Sequence, residues 1–216
     1  MTAPIVFGAA YSVYTRIARL ALHEKGVEYG FEEVDIFAPG GPSPSYLQHH
    51  PFGRIPALSH DGFELFETQA ICRYVDEGFP GRPLQPASAR GRARVAQIIG
   101  LLDAYAYRPM VWDIFVERVR KPQRGAPSDE AKIISAVTAS ERCLTVLESL
   151  MGDTRWLAGE GNEPTLADLH AAPMLVYLAA APEGAALLGR HGRMRSWLER
   201  MNARSSMLET SSPIIG

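Results

Sequence analysis

Nine consecutive residues, Gly78-Phe79-Pro80-Gly81-Arg82-Pro83-Leu84-Gln85-Pro86, limit the folds open to this chain more than any other stretch. Three are proline and two are glycine. Proline lacks an N–H and fixes φ, and glycine has no side chain to pack, so such a run continues neither a helix nor an interior strand. The textures on its two sides differ. Upstream, short β-type runs alternate with helical stretches. Downstream, the chain is rich in Ala, Leu and Arg at helical spacing, with few β-branched runs. The pattern predicts two domains, residues 1–78 and 87–216, joined by a linker at 79–86. At 216 residues and 46% hydrophobic composition, each has enough chain for its own core.

In the upstream region, residues 4–8 form a short apolar run that reads as a buried strand. Val13, Ile17, Leu20 and Ala21 then recur at helical spacing up to Lys25, and Gly26 stands where a helix stops. Residues 27–36 read as a second strand, 38–44 as a loop and 45–50 as one short helical turn. Residues 55–58 and 63–66 flank Ser59-His60-Asp61-Gly62, whose Asp-Gly pair signals a hairpin. Residues 67–77 read as a helix with Ala70, Ile71, Tyr74 and Val75 on one face. The order β-α-β, loop, β-β-α predicts a small α/β sandwich. Downstream, helices are expected over 88–120 (kinked at Pro109), 128–150, 166–180 and 191–203.

Several function classes are excluded by composition. The formal net charge is −2 and the pI about 6.3, so no basic footprint points to nucleic acid. No apolar run approaches the roughly 20 residues of a membrane helix. The N-terminal MTAPIVFGAA has no basic segment ahead of its apolar residues, so no secretory signal is expected. Cys72 and Cys143 make no CxxC pair, zinc spacing or disulfide framework, which suits a reducing cytoplasm. The adjacent His49 and His50 point apart and bring no carboxylate set, so no metal is expected.

Read alone, the polar residues have modest roles. Ser12 precedes an apolar-periodic helix, as an N-cap does. Glu67-Thr68 suits the first turn of a helix. Pro56 opens a strand, where one donor can be spared. Cys72 lies on an apolar helix face, as a buried inert thiol does. Asp103, Tyr105, Tyr107, Trp112 and Phe115 form a polar-aromatic belt of the kind that more often builds core than site. Thr165 and Asp168 are spaced for reciprocal helix capping.

Together, however, these motifs resemble a known family. Residues 8–17 (GAAYSVYTRI), 21–26 (ALHEKG), 51–58 (PFGRIPAL) and 65–71 (LFETQAI) look like the N-terminal domain of cytosolic glutathione transferases, in particular serine-type bacterial members. Thr165-Leu166-Ala167-Asp168 resembles the capping segment of the buried helix in that family's second domain. The resemblance spans essentially the whole chain. It implies a thioredoxin-like α/β domain that binds glutathione, followed by an all-α domain that takes the acceptor substrate. It implies a cis bond at Ile55-Pro56. It further implies that Ser12, four positions before Arg16, stabilises the glutathione thiolate, with Tyr11 and then Tyr14 as competing hydroxyls. Glu67 and Thr68 would hold the γ-glutamyl end, the Ile55 backbone would pair with the cysteinyl unit, and Arg54 would meet a peptide carboxylate. Asp103 would reach a neighbouring subunit's glutathione amine, while Tyr14, Tyr107 and Trp112 would line the acceptor pocket. The partners implied are glutathione as co-substrate, a small electrophile and a second copy of the chain, with Phe52 as an apolar key between copies. The chain departs from the family at His50-Pro51, usually Asn-Pro, and in residues 38–44, which lack Lys and Arg. A glutathione-dependent isomerase or ether-cleaving enzyme, and a non-catalytic protein-binding module, are the alternatives on the same scaffold.

Overall fold

The computed structural model describes residues 2–159 and 161–212. They fall into two compact units: residues up to Leu84 together with the segment from Ser205 onward, and Gln85–Arg204.

The first unit begins with β1 (Ile5–Gly8), α1 (Val13–Lys25), β2 (Gly30–Glu33) and a 3₁₀ turn at Tyr46–Gln48. It continues with β3 (Ala57–His60), β4 (Phe63–Phe66) and α2 (Thr68–Gly78). The sheet order is β2-β1-β3-β4. β1 and β2 are parallel, as their α1 crossover requires, and the other two pairs are antiparallel. This is a thioredoxin-like α/β arrangement. Its core holds Val6, Ile17, Leu20, Leu58, Ile71 and Val75, all fully buried. Cys72 is buried among them, within sulfur hydrogen-bond range of the Ile17 carbonyl.

Two boundaries differ from the sequence pattern. β2 is only four residues long. Val27 instead belongs to the end of α1, where the Gly26 and Val27 N–H groups donate to His23 and Leu22 with Gly26 at φ 69°. The hairpin is tighter than expected. His60 pairs with Phe63, leaving a two-residue turn in which Asp61 and Gly62 have φ of 50° and 79°. Asp-Gly tolerates that left-handed pair.

The second unit is helical. α3 (Ala89–Leu101) runs on through two wider stretches, Leu102–Ala106 and Arg108–Arg120, into α4 (Lys121–Gln123). Where the sequence predicts a kink at Pro109, the hydrogen bonding steps one residue further back: Tyr107 N–H donates to Leu102 and Lys121 N–H to Val116. α5 (Glu130–Met151), α6 (Leu166–Ala179), α7 (Pro182–Arg190) and α8 (Gly192–Asn202) follow. α7 falls where no helix was expected, with Pro182 in its first turn. α6 is buried along most of its length. Asp168, fully buried at its start, accepts from the Thr165 N–H (2.8 Å) and hydroxyl, the Leu157 N–H (2.9 Å) and the Trp197 indole (2.8 Å). Burial pushes its carboxyl up, and these four donors partly offset that.

The end of the chain corrects the expected division. Residues 87–216 do not form one domain, because α9 (Ser205–Glu209) belongs to the first unit. The reason is Arg16, buried on α1, which donates to the Met207 carbonyl (2.8 Å) and the Thr210 hydroxyl (3.4 Å). Ser206 donates to Glu24 on the same helix. Residue 160 and residues 213–216 of the expected helical domain lie outside the described residues.

Candidate functional site

Strand register places Phe7 beside Ala57 and Ala57 beside Phe66. The end of β1, the start of β3 and the end of β4 therefore lie at the same end of the sheet. From it emerge the loop 9–12, the segment 54–56 and the corner Glu67-Thr68. At about 4.8 Å between strands, the ends of β1 and β4 stand about 10 Å apart.

The β1–α1 connection is tightly built. A Cβ on Gly8 would sit 2.3 Å from Thr15 Oγ1, so glycine is required there. The Ala10 N–H donates to Glu33 (3.2 Å) and the Ser12 N–H to the Ala9 carbonyl (2.9 Å). Ser12, half-buried with φ −75° and ψ 127°, is the N-cap of α1, its Oγ accepting the Thr15 N–H at 3.3 Å. That bond uses an oxygen lone pair, not the hydroxyl proton. The helix start adds N–H groups and a positive dipole end. Tyr11 is exposed, its ring stacked 6.3 Å from Phe37, and Tyr14 is half-buried on α1.

Before β3 the chain turns at Gly53 (φ 61°), whose N–H donates to the His50 carbonyl at 2.9 Å. The Tyr46 hydroxyl donates to the Arg54 carbonyl, and burial pushes that phenol above its usual range. Ile55 and Pro56 are buried with a cis bond between them, and Arg54 is exposed.

At the β4–α2 corner Glu67 has φ 71° and ψ 115°. It and Asp61 are the non-glycine residues with positive φ among those described. Asp61 is in a tight turn, where such a conformation is common. Glu67 has no such excuse, and holding it there costs about 1–3 kcal/mol. Its carboxylate makes no capping bond and is exposed, while Thr68 is buried at the first helical position. Backbone strain of this kind concentrates at ligand sites.

The remaining candidates lie in the second unit. Asp103 Oδ1 is 3.0 Å from Nε2 of the fully buried His170 on α6. Tyr107 is half-buried between the two wide-turn stretches, and Trp112 is partly exposed. Thr165 and Asp168 cap α6. Among the described residues, no cluster of three or more His, Cys, Asp or Glu side chains is arranged for a metal. His49 instead pairs with Glu64 at 2.6 Å. The sequence pattern gave no role to Gly8 or Tyr46, and marked His50 only through its adjacency to His49 and the break from Asn-Pro at residues 50–51.

The chain matches the family models of the glutathione S-transferase N-terminal domain over residues 11–77 and C-terminal domain over 85–200. It is similar to a glutathione S-transferase of Silene vulgaris, 30% identical with 95% of each chain covered. It is also similar to glutathione S-transferase F13 of Arabidopsis thaliana, 28% identical over 95% of this chain and 94% of that one. Among solved structures it resembles glutathione transferase F7 from Populus trichocarpa, with TM-score 0.83, 29% identity and 96% and 97% coverage. Maize glutathione S-transferase I in complex with an atrazine glutathione conjugate superposes with TM-score 0.83 at 25% identity, covering 97% and 96% of the two chains.

Proposed function

Because this chain belongs to the glutathione S-transferase family and is a glutathione transferase, we propose that it is of the serine type, laying glutathione along the shared end of the sheet and ionising its thiol at Ser12. The observation that carries this reading is the strained Glu67 at the end of β4, which stands about 10 Å from the end of β1, where the chain runs on to Ser12. That span suits the stretch from the γ-glutamyl ammonium to the cysteinyl sulfur, about two extended residues plus the cysteinyl side chain. The Glu67 carboxylate takes the γ-glutamyl ammonium. The Thr68 hydroxyl and the N–H groups opening α2 take the neighbouring carboxylate. The Ile55 backbone pairs with the cysteinyl unit as an added strand does, and Arg54 meets a peptide carboxylate. Ser12 then donates to the sulfur, with Tyr11 as the competing donor.

The thiolate attacks an electrophilic carbon. A C–S bond forms and a leaving group departs, or the electron pair moves into the acceptor. The maize relative holding an atrazine conjugate supports that outcome. Tyr14, Tyr107 and Trp112 are the aromatic residues we assign to the acceptor, and Asp103 to the ammonium of a neighbouring subunit's glutathione. We assign the protein to cytoplasmic detoxification as a homodimer, with Phe52, 73% exposed, as the contact between copies. Cys72 and Cys143 form no disulfide. No helix among the described residues is long and apolar enough to cross a membrane.

The test is retention on immobilised glutathione together with turnover of an aryl halide. Retention without turnover of any electrophile supports a binding module instead, and a monomer mass in sedimentation at micromolar concentration counts against the dimer.

A further inference from the structure

His50 is 3% exposed, and its Nδ1 is buried with no hydrogen-bond partner among the described residues. Its ring packs 4.8 Å from that of Phe66, the residue directly before Glu67, and 6.3 Å edge-on from Phe52. Phe52 and Phe66 also meet, at 6.1 Å. The imidazole thus packs with the two phenyl rings, Phe52 and Phe66, that link the segment 51–56 to the strained corner at Glu67. A buried ring nitrogen without a partner costs about 1–3 kcal/mol, so a purely structural role favours an apolar side chain here.

We propose that His50 is a positioning residue for the Glu67 carboxylate, tightening or loosening its hold on the ammonium of glutathione according to the charge on its own ring. This rests on the glutathione site proposed above. Glu67 and Arg54 are the charged groups that act on the His50 ring, and the His50 backbone N–H donates to the Tyr46 carbonyl of the 3₁₀ turn at 3.1 Å. Burial lowers its pKa, Glu67 opposes this and Arg54 adds to it, with a net shift below the usual imidazole value. With the ring neutral, Glu67 is available to the ligand. In acid, the proton on His50 and the γ-glutamyl ammonium compete for one carboxylate, so affinity falls.

The probe is S-methylglutathione, whose sulfur cannot ionise, titrated calorimetrically from pH 8 to 5 against the wild type and His50→Phe. The wild type should lose about fivefold in affinity across that range, the size of one nearby charge, while the variant stays flat. His50→Asn, which keeps a polar group but takes up no proton, gives the same comparison should the Phe side chain disturb folding. Parallel profiles for wild type and either folded variant overturn the role of His50 while leaving the glutathione site standing. A wild type that binds S-methylglutathione at no pH overturns both.

Discussion

Ser12→Ala separates the helix cap that Ser12 forms from the thiolate donor proposed for the same oxygen. As an N-cap, Ser12 accepts a single 3.3 Å bond from the Thr15 N–H. At that length the loss should lie near the bottom of the capping range, about 0.5–1 kcal/mol. For a chain of this size that lowers Tm by about 1–4 °C. As a thiolate donor it supplies a hydrogen bond to a charged group, about 1.5–3 kcal/mol. Losing it raises the pKa of bound glutathione by about one to two units from wherever the wild type sets it. Near pH 7 the conjugation rate should then fall about ten- to a hundredfold, with glutathione binding nearly unchanged. The sign is fixed: a raised thiol pKa moves the rate profile to higher pH, so activity partly returns in alkaline buffer. The assay is thiolate absorbance of bound glutathione against pH in both proteins, with calorimetric melting alongside. A lower Tm with an identical titration midpoint refutes the catalytic role of Ser12 and leaves Tyr11 as the donor.

Three further outcomes follow from the described geometry. Glu67→Gln removes the carboxylate opposite the ammonium and should raise the glutathione KM more than it lowers kcat; steady-state kinetics with an unchanged KM would place the γ-glutamyl end elsewhere. Asp168→Ala strands the Trp197 indole, the Leu157 N–H and the Thr165 N–H in the core, at about 3–5 kcal/mol and a loss on the order of 10 °C in Tm by calorimetry. Glu117 is buried, which alone raises its pKa, but Lys121, Lys132 and the Asp129 N–H outweigh this and hold it at about 2. A depressed carboxyl contributes stability that is full above its unfolded value and lost as pH falls towards 2. Wild-type Tm should therefore drop more steeply than that of Glu117→Gln on acidification below roughly pH 5, and parallel slopes would refute the pairing.

What could be read in the sequence was local. The proline-glycine run at 78–86, the stop at Gly26, the Asp61-Gly62 turn and the Thr165–Asp168 spacing each carry their physics within a few residues. The features that escaped depend on distant partners or on hydrogen-bond register. Apolar periodicity in 88–120 shows which face is buried, and it does not distinguish bonding four residues back from bonding five. Arg16 serves in the sequence only to locate Ser12, because its partners Met207 and Thr210 arrive from nearly 200 residues away. Residues 27–36 look like one strand because the alternation ignores the claim that the end of α1 makes on Val27. His50 looks like a surface residue beside His49, and only the packing of Phe52 and Phe66 shows that it is buried.

The return of α9 to α1 has a consequence for recombination between relatives. Exchanging everything after the linker, the cut that the sequence invites, also replaces Thr210, whose hydroxyl accepts from the buried Arg16, and the segment whose backbone presents the Met207 carbonyl to it. Arg16 lies one helical turn from Ser12, so the damage would reach the start of the helix that Ser12 caps. A chimaera that borrows residues 85–204 and keeps the native segment from Ser205 onward leaves those bonds intact. In this architecture the modular unit is an insertion into the first domain, and exchange requires two junctions.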